Sequence, residues 1–169
     1  MTILLAPDKF KGSLSAKGVC DALEKGIKAH STDIETVKKP MADGGDGSLA
    51  VLDYYLKLET VTLEVQDPLG RSISASYKLQ KETAYIELAA ASGLVLLKPD
   101  ERNCLLTSTF GTGQLVKDAT QKGAKTIYLF IGGSATNDGG IGIAQALGYQ
   151  FYDEDGQQLA PIGENLINI

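Results

Sequence analysis

Ile3-Leu4-Leu5-Ala6-Pro7-Asp8-Lys9-Phe10-Lys11-Gly12-Ser13-Leu14-Ser15 is the stretch that decides the fold class. Its apolar opening ends at Pro7-Asp8, which predicts a short buried strand, Ile3 to Ala6, delivering an acidic residue to its carboxyl end. Ser13 or Ser15 then suits the cap of a helix whose apolar face is Val19, Ala22, Leu23, Gly26 and Ile27. The unit is strand, loop, helix. It repeats: Glu35 to Met41 leads into Ala42-Asp43-Gly44-Gly45-Asp46-Gly47-Ser48, and Leu49, Leu52 and Leu56 follow at helical spacing.

From residue 60 the period changes to two. Val61, Leu63 and Val65 alternate with polar residues, as do Ile73, Ala75, Tyr77 and Leu79, and Asp67-Pro68-Leu69-Gly70 between them favours a type I turn and a hairpin. Ala84, Ile86 and Leu88 offer a third strand. An antiparallel meander after parallel-type units places a boundary near residue 60. Thr107-Ser108-Thr109-Phe110-Gly111-Thr112-Gly113 opens a helix that ends at Gly123. Ile127 to Ile131 is apolar on both faces, which predicts a buried strand; it runs into Gly132-Gly133-Ser134-Ala135-Thr136-Asn137-Asp138-Gly139-Gly140 and a helix closed by Gly148. After a turn at Asp153 to Gly156, an apolar pattern begins at Asn165 and is not completed, so truncation is expected, with a docked terminal strand as the alternative.

The composition excludes several classes. With 43% hydrophobic and 22% charged residues the 169-residue chain matches a folded globular protein, and a net charge of −5 argues against a nucleic-acid partner. Met1 to Ala6 is too short for a signal peptide's core, so no membrane segment and a cytoplasmic address are expected. Cys20 and Cys104 lack the spacing of a zinc site and read as reduced core residues; with His30 as the single histidine, triad chemistry has no raw material.

Of the 19 glycines, ten fall in three loops: 44, 45 and 47; 111 and 113; 132, 133, 139, 140 and 142. Glycine lets backbone amides approach an anion, and each loop precedes a predicted helix whose amino-terminal dipole favours negative charge. The candidate binding residues, for a phosphate or carboxylate group, are therefore Gly44, Gly45, Gly111, Gly113, Gly132, Gly133, Ser134, Thr136 and Asn137. Asp8, Asp43, Asp46 and Asp138 follow candidate strands, where an open α/β sheet gathers its ligands; such carboxylates hold Mg²⁺ or accept a hydroxyl proton. Asp8, Lys11, Asp43 and Asp138 are the candidate catalytic set and Asp43 and Asp46 the metal candidates, while Asp46 and Asp138 also suit helix caps, so both roles stay open. The chain has no Gly-Lys dipeptide, hence no P-loop, and no Gly-x-Gly-x-x-Gly fingerprint. A phosphatase using Asp8 as nucleophile is disfavoured, because Phe10 stands where its second Asp belongs.

Together, Ala6 to Ala16, Pro40 to Gly47, Thr107 to Gly113 and Gly132 to Gly140 resemble the bacterial glycerate kinase type 1 family, in that family's order. Departures are Asp46 where Glu is common, Ser48 where Thr is common, and Phe130 replacing a small residue. The resemblance implies phosphorylation of D-glycerate by ATP with Mg²⁺. It also implies an α/β fold in which residues 1–60 form the amino-terminal half of a split, Rossmann-like parallel-sheet domain. Residues 61–169 would then be part of a second, inserted, mixed α/β domain. A homodimer is the candidate assembly; the alternative to a kinase is a fragment that binds nucleotide or anion without turnover.

Overall fold

A computed structural model describes residues 1–169, which fall into two compact units, Met1–Lys57 and Leu58–Ile169. The first unit runs β1 (Thr2–Leu5), α1 (Ala16–His30), β2 (Glu35–Lys38) and α2 (Ser48–Tyr55). The two strands pair in parallel, from Thr2 with Glu35 to Leu5 with Lys38. Ser15 caps α1, its hydroxyl accepting from the Gly18 amide at 3.1 Å. Parallel pairing needs a crossover, which α1 supplies.

The strand and the helix are less buried than their patterns suggest. Only Leu5 of β1 is fully buried, beneath Cys20, whose thiol reaches the Leu5 carbonyl; Leu4, on the opposite face, is 64% exposed. Side chains alternate along a strand, and α1 covers one face. The helix correspondingly buries Ala16, Val19 and Cys20, while Ala22, Leu23 and Gly26 of the predicted face are exposed.

The second unit runs β3 (Glu59–Gln66), β4 (Ser72–Gln80), β5 (Thr83–Glu87), α3 (Ala89–Ser92), α4 (Phe110–Gln121), β6 (Thr126–Phe130) and α5 (Ile141–Ala146). The order in the sheet is β3-β4-β5-β6, antiparallel except for the parallel pair β5 and β6. The predicted turn closes the first hairpin, with the Gly70 amide bonded to the Asp67 carbonyl at 3.0 Å. One sheet face carries Val61, Val65, Ala75, Tyr77, Ala84 and Ile86 into a core completed by Ala91, Leu115, Ala119 and Ala124. That core sets the α4 amino terminus beside the turn at Gln66 to Arg71.

β6 is not buried on both faces. Ile127 and Leu129 pack on the core, but Tyr128 lies on the other face stacked on Tyr85, ring centroids 5.4 Å apart, and Ile131 is exposed. β6 is an edge strand, and the core lies against only one of its faces. Cys104 is exposed rather than in a core, whereas Cys20 is buried. Gly163–Asn168 forms a 3-10 helix where a terminal strand was the alternative.

Candidate functional site

The parallel register of β1 and β2 makes the loops that leave them start from the same sheet edge. Backbone bonds from Lys39 to Leu5 (2.7 Å) and from Met41 to Pro7 (3.0 Å) carry the two loops side by side beyond the strands. Asp8 accepts from the Lys9 amide at 2.6 Å. The Lys9 ammonium reaches across to the carboxylate and the backbone carbonyl of Asp46. This contact, with a lesser contribution from Lys11, holds the Asp46 carboxyl below the usual carboxylate range.

Asp43 lies exposed at the head of the second loop, one oxygen accepting from the Gly45 amide at 3.0 Å. Gly44 has a φ of 89°, a conformation costly for any residue with a Cβ, and Gly45 is buried with its carbonyl taking the Ser48 hydroxyl at 2.7 Å. The first unit thus gathers Asp8, Lys11, Asp43, Gly44, Gly45 and Asp46. Of the two metal candidates, Asp43 keeps an oxygen open and Asp46 is already neutralised.

The remaining candidates belong to the second unit. The Gly132–Gly140 loop follows β6 and is pinned inside: the Thr107 hydroxyl bonds the Ala135 carbonyl at 2.9 Å, and the Ala135 amide bonds the Ser92 carbonyl at 2.9 Å. Gly133, Ser134 and Asn137 remain exposed, with Gly132 and Thr136 half-buried, and Ser134 accepts from the Thr136 amide at 3.0 Å. This rim can offer amides and hydroxyls to an anion.

Asp138 is placed differently from what its loop position suggests. It is 1% exposed, and one oxygen accepts from the Thr109 amide (2.7 Å), the Thr109 hydroxyl (2.8 Å) and the Gly142 amide (3.3 Å). The other oxygen accepts from the Gly140 amide at 3.1 Å. Gly111 and Gly113 are likewise buried, within α4 rather than in an open loop. A Cβ on Gly111 would stand 1.8 Å from the Gln66 carbonyl oxygen, and one on Gly113 would stand 2.6 Å from the Ala146 Cβ. Their missing side chains are accounted for by close packing, against the Gln66 backbone at Gly111 and against the Ile143 backbone and the Ala146 side chain at Gly113.

Two residues take structural roles that a reading by sequence does not assign them. Thr109 links the start of α4 to Asp138 and also accepts from the Ile143 amide at 3.1 Å; Lys9 joins the two loops of the first unit. The hydroxyl run Thr107-Ser108-Thr109 is the one local signal for the former. No three His, Cys, Asp or Glu side chains group where they could hold a metal ion, and no helix is long and apolar enough to cross a membrane.

Comparison with known proteins gives these loops a context. Residues 3–169 match the glycerate kinase family. The chain is 45% identical over its whole length to glycerate kinase of Haemophilus influenzae, spanning 45% of that protein. It is 42% identical to glycerate 2-kinase of Escherichia coli, where 98% of the chain aligns with 44% of the relative. A crystal structure described as glycerate kinase 2 from Salmonella typhimurium LT2 superposes with a TM-score of 0.81 at 42% identity, covering all of this chain and 46% of that one. The chain therefore spans somewhat less than half the length of the relatives it matches. On a match running from residue 3 to residue 169, the chain belongs to the glycerate kinase family.

Proposed function

We propose that the chain supplies the acid-bearing and glycine-lined loops of an ATP-dependent kinase acting on D-glycerate. The observation that carries this reading is the parallel pair β1 and β2, whose two acid-bearing loops leave one carboxyl edge of a sheet in a member of the glycerate kinase family. In the proposal, residues 1–60 are one half of a Rossmann-like domain and residues 61–169 part of a second.

Asp8 and Asp43 are the groups suited to orient a glycerate hydroxyl and take its proton as the oxygen attacks the terminal phosphorus of ATP. Lys11 is exposed and offers a point charge to the phosphoryl group in transfer. The rim of Gly132, Gly133, Ser134, Thr136 and Asn137 supplies amides and hydroxyls to phosphate oxygens. Mg²⁺ usually keeps several waters and takes one or two protein carboxylates, and the donor set here fits such a nucleotide-borne ion, with Asp43 as its holder and Asp46 available on release from Lys9. The ion would neutralise the charge on the bridging phosphates.

Calorimetric titration with Mg-ATP and D-glycerate, beside a coupled assay of ADP release, tests this. Saturable binding of both, with release that falls at least tenfold or so in Asp8→Asn or Asp43→Asn, is expected. Full turnover in both variants would remove these acids from the mechanism. The share of the relatives that the chain spans favours a second reading, a nucleotide-binding part without turnover of its own. Binding without ADP release is its signature.

A further inference from the structure

We infer that Asp138 is a positioning residue for the loop Gly132–Asn137, acting through Thr109, and neither a proton acceptor nor a metal ligand. The inference deepens the proposed function and rests on its reading of that loop as an anion site.

An ionised carboxylate offers about four acceptor sites. Those of Asp138 meet the Thr109 amide, the Thr109 hydroxyl, the Gly142 amide and the Gly140 amide. Three of these donors share one oxygen and the Gly140 amide takes the other, and the side chain is 1% exposed, so a metal ion or a substrate proton would have to enter a site closed off from solvent or displace a donor. A buried carboxylate is tolerated because these donors satisfy it, and each would be left unpaired by the exchange.

Thr109 precedes α4, whereas Gly140 and Gly142 open α5, so the carboxylate ties the starts of two helices together. They approach closely: a Cβ on Gly142 would lie 2.5 Å from both the Phe110 amide nitrogen and the Ser108 hydroxyl oxygen. Thr109 works twice, donating its hydroxyl to Asp138 and accepting the Ile143 amide on the same oxygen. Removing that oxygen breaks both of these bonds and leaves Asp138 tied to Thr109 by the backbone amide alone.

Between β6 and Asp138 the chain is fastened at Gly133, whose carbonyl accepts from the Leu94 amide at 2.9 Å, and at Ala135, by the Thr107 hydroxyl on one side and the Ser92 carbonyl on the other. Asp138 is the next fixed point. Thr136 and the exposed Asn137 lie between Ala135 and Asp138 and depend on both anchors directly, while the exposed Gly133 and Ser134 precede Ala135 and depend on Asp138 through it.

The test uses Thr109→Val, which keeps the side chain's shape without its hydroxyl, Thr109→Ser, which keeps the hydroxyl, and Asp138→Asn. Amide hydrogen exchange over residues 132–137 and calorimetric affinity for Mg-ATP are read on each. Thr109→Val is expected to speed exchange across 132–137 and to weaken Mg-ATP by about tenfold, the step for a lost bond to a charged group, with Thr109→Ser within about threefold of the parent. Normal affinity in Thr109→Val with binding lost in Asp138→Asn would make Asp138 a direct ligand and overturn the inference. Faster exchange with unchanged affinity would also overturn it, leaving a purely structural tie. If Asp138→Asn does not fold, the Val and Ser pair decides. If the parent chain binds no Mg-ATP, it is the proposed function that fails; exchange then judges the tie alone, faster in Thr109→Val supporting it and unchanged overturning it.

Discussion

The ammonium of Lys9 closes on the carboxylate of Asp46, joining the loop after β1 to the loop after β2. The lysine side chain is 15% exposed and the aspartate 49%, so the pair sits at the margin between packed and solvated. Gly47, with a φ of 90° at the start of α2, lies against the lysine stem, so the same side chain orders two features of the second loop.

Lys9→Met should bring the Asp46 carboxyl back up into the ordinary range. The Asp46 value is depressed in the folded chain, so the pair stabilises above the ordinary carboxylate range and the benefit is lost as pH falls through the lowered value. At neutral pH the variant should lose no more than about 1 kcal/mol, as half-exposed pairs do. Carboxyl-carbon NMR titration of Asp46 checks the first point and urea unfolding the second. An Asp46 titration indistinguishable between parent and variant contradicts the pairing.

Gly111 and Gly26 make a controlled contrast, since both lie within helices. A Cβ on Gly111 meets the Gln66 backbone oxygen at 1.8 Å, and that oxygen is fixed at the end of β3. Gly111→Ala should cost about 3 kcal/mol or more, because neither backbone can give way. A Cβ on Gly26 meets nothing within 4 Å, so Gly26→Ala in α1 should gain about 0.5–1 kcal/mol. Thermal unfolding of the two variants should shift in opposite directions; equal shifts would mean that Gly111 is not a packing position.

Sequence made the local elements readable, because their causes are local. Alternation along Val61 to Val65 and Ile73 to Leu79 predicts the inward face of β3 and β4, and Asp67 to Gly70 predicts their turn. What covers each sheet face is a property of the assembled unit, so the exposure of Leu4 and Tyr128 was not legible in equally apolar runs. The same limit applies to the candidate site. Acids after strands announce their loops, but Asp138 is taken by a threonine 29 residues earlier, and Asp46 by a lysine 37 residues earlier. Glycine is ambiguous for a related reason: Gly111 and Gly113 admit neighbouring backbone, and a ligand's approach would demand the same residue type.

Tyr77 carries the polar end of the second unit's core. Its ring is fully buried, and its hydroxyl donates to Asp118 of α4 at 2.8 Å, while Asp118 also pairs with Lys122 just beyond the helix. Burial first, and the neighbouring carboxylate second, push the phenol well above its ordinary value, so it stays protonated as a donor. Tyr77→Phe keeps the packing and removes one bond to a charged acceptor, at a cost of about 1.5–2 kcal/mol. Urea unfolding should show a lower midpoint with an unchanged slope, and a midpoint equal to the parent's would mean that the bond adds nothing.

The two metal candidates should separate by charge partner. Asp43 spends one oxygen on the Gly45 amide and leaves the other open, whereas Asp46 is held by Lys9. Under the proposed function, Asp43→Asn should weaken Mg-ATP by about tenfold while leaving metal-free ATP nearly unchanged, the pattern of a lost contact to the ion. Asp46→Asn removes no free ligand and releases a lysine, so its affinity for metal-free ATP should rise and its dependence on Mg²⁺ should stay that of the parent. Titrations with and without Mg²⁺ resolve the pair. If Asp46→Asn is the variant that loses the metal dependence, Lys9 must give up its partner when nucleotide binds, and the ion pair described here is the resting state of a loop that opens.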